Sequence, residues 1–181
     1  MNKRLLAVSL FVGGAALARL LPHPPNVTPI AAMALFGGAY LANRKLAFAL
    51  PLVAMLLSDL VLGVAIYGKV LLVSQPVVYL CLLAIVAIGG LLRSRKSWWT
   101  IPVASLISSV MFYLVTNFAV WAFESLYPRN WSGLVACYTA AIPFFRNSIA
   151  GDLCFAVILF GGFVLLEKSV VSVQEPKPLY S

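Results

Sequence analysis

The chain has 181 residues, 62% of them hydrophobic and only 10% charged, with a mean hydropathy of +1.00 and a formal net charge of +8. A soluble globule carries about 25% charged residues, so this composition excludes one and points to a bilayer. Nucleic-acid binding is excluded with it: no soluble basic domain is available, and a positive-inside bias on a chain with 5 acidic residues gives the same excess of charge.

Runs of about 20 apolar residues, the length that crosses about 30 Å of hydrocarbon, recur between short clusters of Lys, Arg, Asn, Pro and Gly. The alternating pattern of a membrane β-barrel is absent. The sequence therefore predicts an all-α membrane protein, a six-transmembrane-helix bundle with spans near residues 4–21, 29–42, 46–66, 70–92, 98–124 and 143–166. The first run, LLAVSLFVGGAALA after MNKR, has the layout of a secretory signal peptide ending in Ala16-Leu17-Ala18. Kept as a helix, it makes the number of spans even and leaves both ends on the more basic side. The second span is short for a crossing and is expected to be tilted or broken. Residues 1–168 form the transmembrane domain, and 169–181, with two prolines and no long apolar run, a cytoplasmic tail.

Orientation follows from the basic residues. They collect at Lys3/Arg4, Arg44/Lys45, Arg93/Arg95/Lys96 and Lys168/Lys177, while the opposite connections carry Arg19, Lys69, Arg129 and Arg146. Both termini are expected in the cytoplasm of a bacterial cell, with the chain in its inner membrane. The third span contains Pro51 followed by Ser58-Asp59, and the sixth Pro143 followed by Gly151-Asp152, which suggests a three-plus-three repeat.

Polar residues at membrane depth are costly unless paired or wet, so function is sought there first. Asp59 and Asp152 are the two aspartates inside spans. Each is either a ligand-binding group or a structural partner of Arg19, Arg146 or an asparagine; as a pair sharing a proton they would instead serve an intramembrane enzyme. On the fifth span Ser109, Tyr113, Asn117, Trp121 and Glu124 recur at spacings of three and four, which stacks them on one helix face. That face is either interhelical adhesive or the wall of a pocket for a large, amide-rich ligand. LPHPPNVTP, with four prolines in nine residues, is stiff and extended. ESLYPRNWSGLVACY supplies Tyr127, Trp131 and Tyr138, so the two connections make either a lid over one end of the bundle or an interfacial aromatic belt.

Cys81, Cys137 and Cys154 show no zinc spacing. Cys81, inside VVYLCLLAIV, has no local base to activate it and reads by itself as a small apolar filler. Only a bound metal would hold it as a thiolate.

RLLPHPPNVTPIAAMALFGGAYLAN, SDLVLG and PFFRNSIAGDLCFAVILFGG together resemble the solitary cobalamin transporters of the BtuM family, relatives of the S components of energy-coupling-factor (ECF) vitamin transporters. The resemblance runs from about Arg19 to Gly162. It implies an S-component-like six-helix fold, a pocket opening outward, gating loops, and a cysteine that ligates the cobalt of cobalamin from below. By that resemblance the ligating residue is Cys81, with His23, the one histidine, as the competing ligand. Asp59, Tyr113, Asn117, Trp121, Tyr127, Trp131 and Asp152 are the expected cobalamin-binding set. A thiolate below the cobalt also implies loss of cyanide from cyanocobalamin. Such proteins dock a coupling subunit through small residues on the first helix; here Ala15 is followed four positions on by Arg19, whereas Gly14 and Ala18 keep a small-residue spacing. No Walker motif is present in the sequence, so ATP would have to be hydrolysed by partner ATPases. The same resemblance leaves open an S component for another vitamin.

Overall fold

The computed structural model of the chain describes residues 3–22, 24–63, 75–94 and 96–170. His23, Arg95, the connection around Lys69 and most of the expected tail lie outside the described residues. Within them there are six helices and no strand: α1 (Lys3–Ala18), α2 (Ile30–Tyr40), α3 (Arg44–Leu62), α4 (Gln75–Leu91), α5 (Thr100–Phe123) and α6 (Trp131–Ser169). α6 runs for 39 residues and loosens into a π-helical stretch at Val157–Gly161.

α3, α5 and α6 are long and apolar enough to cross a membrane. Their outer surfaces carry large apolar side chains such as Leu57, Ile107 and Val157, each more than half exposed. A bilayer accepts such a surface, whereas water penalises it. α2 and α4 are equally apolar but shorter.

Position in the bundle is decided by side-chain size. α2 is apolar on every face, and each residue from Ala31 to Tyr40 is buried, which is the signature of a central helix. At 11 residues it is about 16 Å long, roughly half a bilayer. Its approach to α4 depends on glycine: a Cβ on Gly38 would collide with the Val86 carbonyl oxygen, and one on Gly89 with that of Leu35. Phe36 of α2 meets Phe11 of α1 at 5.7 Å and Phe160 and Phe163 of α6 at 5.3 and 5.4 Å between ring centroids, an aromatic cluster that packs α2 against both helices.

Both ends of α2 are fixed from outside. The Arg93 guanidinium donates to the carbonyls of Gly38 (3.0 Å), Leu41 (2.7 Å) and Ala42 (3.3 Å), so a cation sits on the carbonyls that a helix C-terminus leaves unpaired. At the other end the Pro-rich segment leads in, with Asn26 in the left-handed region at φ 62°, which a short amide side chain tolerates. It is clipped to α6 where Asn147 Nδ2 donates to the Pro25 carbonyl at 3.0 Å and where Gly151 leaves room for Val27.

One boundary differs from the expectation. The expected sixth span begins at residue 143, but the helix starts at Trp131, so Trp131 and Tyr138 are helical and only a short link joins α5 to α6. Asn130 starts it by accepting from Gly133 N at 2.8 Å, and Gly133 is required because a Cβ there would meet the Pro128 carbonyl oxygen.

Candidate functional site

Beside the Pro-rich segment lies a partly open cavity of about 330 Å³, lined by that segment, the start of α2, and α3 to α6. Its floor is apolar, with Ile30, Ala31, Met55 and Val78. Its walls carry the rings of Phe112, Phe144 and Phe145 beside a set of polar groups. Asn26 and Thr28 come from the Pro-rich segment, Gln75 from α4, Ser109, Tyr113, Thr116 and Asn117 from α5, and Ser148 and Asp152 from α6.

Three members of the predicted α5 face, Ser109, Tyr113 and Asn117, do line this space. Tyr113 is held rigidly: its hydroxyl donates to the Tyr138 carbonyl at 2.7 Å and its ring stacks on Phe145 at 4.3 Å. Asn117 Nδ2 donates to the Tyr113 carbonyl at 2.7 Å. Trp121, on the same face, is spent elsewhere, its indole N–H donating to the Pro128 carbonyl at 3.0 Å to brace the α5–α6 link. Tyr127 and Trp131 are likewise outside the cavity wall, and Trp131 is 77% exposed. These two fit an aromatic belt better than a lid.

The two aspartates have separate surroundings. Asp59 forms an ion pair with Arg19 (2.5 Å) and accepts from Tyr79 (2.6 Å) and Gln75 (2.8 Å), while Arg19 also donates to Ser58 (2.6 Å). This network ties the end of α1 to α3 and α4, and Arg19 and Gln75 present its edge to the cavity. Asp152 is buried, faces the cavity, and is bonded at 2.7 Å to the Ser109 hydroxyl. Its partner is neither of the arginines nor an asparagine that the sequence offered. Each carboxyl thus has its own set of partners, which removes the shared contact that a proton-sharing dyad uses.

Cys81 is buried in α4, one helical turn beyond Val78, and is not among the residues that line the cavity. Cys137 Sγ contacts the Asn117 carbonyl at 3.4 Å, Cys154 is exposed, and all three thiols are free. No cluster of three or more His, Cys, Asp or Glu occurs among the described residues.

Gln75 and Ser148 are absent from the expected set, and Asn26 and Thr28 enter it only as part of the Pro-rich stretch. Ser148 was within reach of the helical-spacing rule, since it lies four residues before Asp152 on the same face of α6. The others sit at element ends, where periodicity carries no signal.

An all-helical chain with membrane-length helices and a polar cavity beside a proline-stiffened segment defines the class. The chain belongs to the family of unknown function DUF6580, whose profile matches residues 1–175. No curated protein and no solved structure matches it.

Proposed function

We propose that this chain is a solute-binding uptake protein of the bacterial inner membrane, a six-span S-component-like bundle with both termini in the cytoplasm. The observation that carries the proposal is the cavity: polar groups from α4, α5 and α6 converge on one space bordered by a segment held to α6 through Asn147 and Gly151. Convergent polar groups over an apolar floor are what a small-molecule site needs. A border made of non-helical chain can withdraw without unfolding a helix.

Cobalamin is the first candidate ligand, on the strength of the resemblance in the Pro-rich, Ser-Asp and Gly-Asp stretches. Under this reading Cys81 loses its proton to solvent and the thiolate takes the lower position on cobalt, displacing the benzimidazole nitrogen that cobalamin itself places there. Cyanide then leaves the upper position with its bonding electron pair, and the cobalt keeps its oxidation state. Val78, one turn from Cys81, lines the cavity floor, so a ligand reaching the thiol must displace Val78 and lift the Pro-rich segment. One observation favours a second reading: about 330 Å³ suits a drug-sized molecule, far smaller than a corrinoid. A smaller polar vitamin would fit without rearrangement. In either case a coupling subunit with ATPases remains a proposed partner.

The test is to add cyanocobalamin to purified wild type and Cys81→Ser and to record binding and the visible spectrum. A spectral shift in the wild type that is lost in Cys81→Ser supports cobalamin and the thiolate. Equal spectra with retained binding remove Cys81 from the cobalt and turn attention to His23. Absence of binding leaves the smaller solute.

A further inference from the structure

The Ser109 hydroxyl has one hydrogen and two acceptors within reach. It lies 2.7 Å from Asp152 Oδ2 and 3.0 Å from the Ser105 carbonyl oxygen, one turn back on α5. If Asp152 is a carboxylate, Ser109 must donate to it and the contact with the Ser105 carbonyl goes without a proton. If Asp152 carries a proton, it donates to Ser109 Oγ, Ser109 donates to the Ser105 carbonyl, and both short contacts become hydrogen bonds. The protonated state therefore makes one hydrogen bond more than the carboxylate state.

The surroundings agree. Asp152 has no ion pair among the described residues. The charged side chain at the cavity, Arg19, is engaged by Asp59, and the titratable Tyr113 has its hydroxyl on the Tyr138 carbonyl. The segment packed on Gly151 contributes Val27 and Thr28, α2 contributes Ile30 and Ala31, and α3 and α4 contribute Met55, Gln75 and Val78, none of them charged. A lone carboxylate at membrane depth is expensive, and such residues mark proton relays. Just beyond Ser109, Ser105 Oγ is buried with no hydrogen-bond partner, the one such side-chain atom among the described residues. Sodium is a poorer occupant, because α5 and α6 are continuous helices through Ser109 and Asp152, and their carbonyls are used within the helix.

We propose that Asp152 is a proton-binding site in the wall of the cavity, and that solute uptake is coupled to that proton. The coupling rests on the uptake function proposed above; the proton site does not. A solute entering the cavity with a hydrogen-bond donor competes with the Asp152 proton for Ser109, so occupancy and protonation become linked. At a membrane potential of about 100 mV one co-transported proton supplies about 2.3 kcal/mol, an accumulation limit of about fifty-fold.

Infrared spectroscopy of the full-length protein in lipid tests the site without any solute. The expected result is a protonated-carboxyl band at neutral pH that is missing in Asp152→Asn and displaced in Ser109→Ala, which keeps the carboxyl but removes its partner. A wild-type spectrum without a band assignable to Asp152 overturns the proton site. Coupling is tested with cyanocobalamin in proteoliposomes carrying an imposed proton gradient: wild type should concentrate it and lose that accumulation when a protonophore collapses the gradient, whereas Asp152→Asn, which has no proton to release, should show no gradient-dependent accumulation. Equal accumulation by both proteins overturns the coupling. If wild type binds no cobalamin, the cobalamin reading fails while the infrared result still decides the proton site.

Discussion

Replacing Gly89 with alanine should separate α2 from α4, whereas the same change at its neighbour Gly90 should not. A Cβ on Gly89 would overlap the Leu35 carbonyl oxygen and sit 3.1 Å from Gly38 Cα. These are backbone atoms, which cannot rotate away, so relief requires the two helices to move apart along the contact that buries Leu35, Leu82, Ile85 and Val86. Overpacking of this kind costs about 1–3 kcal/mol. For a chain of this length each kcal/mol corresponds to about 2–4 °C, so Tm should fall by about 2–12 °C. At Gly90 a Cβ meets nothing within 4 Å. Alanine there should be neutral or should stabilise by up to about 1 kcal/mol through helix propensity. Thermal unfolding of detergent-solubilised protein, followed by the loss of the monodisperse peak in size-exclusion chromatography, measures both. A Gly89→Ala protein as stable as wild type, or a Gly90→Ala protein equally destabilised, would refute the backbone-contact account.

Arg19→Gln leaves Asp59 with only Tyr79 and Gln75, and because the two ion-paired side chains are just 14% and 10% exposed, stability should drop by about 3 kcal/mol. Adding Asp59→Asn should recover most of that loss in the same melting assay; a double variant no better than the single one would show that charge pairing is not what Arg19 supplies. Asn117→Leu should weaken cyanocobalamin binding in equilibrium dialysis by about 1–3 kcal/mol with little change in Tm, since the Asn117 amide otherwise bonds only within its own helix. Unchanged affinity in a less stable protein would make Asn117 a packing residue.

What is legible in the sequence depends on distance along the chain. Run length placed the membrane-length helices α3 and α5, and the spacing of Ser109, Tyr113 and Asn117 put them on one face, because a helix fixes that geometry locally. The start of α6 lies 12 residues before the expected bound, at Trp131, where Asn130 caps the helix. What the sequence did not determine is which faces meet. In water, burial leaves a trace as apolar against polar periodicity; in lipid, the outer face of a helix is as apolar as the inner one, and that contrast disappears. For this reason α2 could be seen as short but not as the buried centre. Arg93 read as a topology signal although its guanidinium holds the carbonyl end of α2. Cys81 could not be ranked against Val78 for access to the cavity. Only the packed structure brings Arg19 to Asp59 and Ser109 to Asp152, pairs separated by 40 and 43 positions in the chain, because polar groups excluded from lipid must find each other wherever the helices allow.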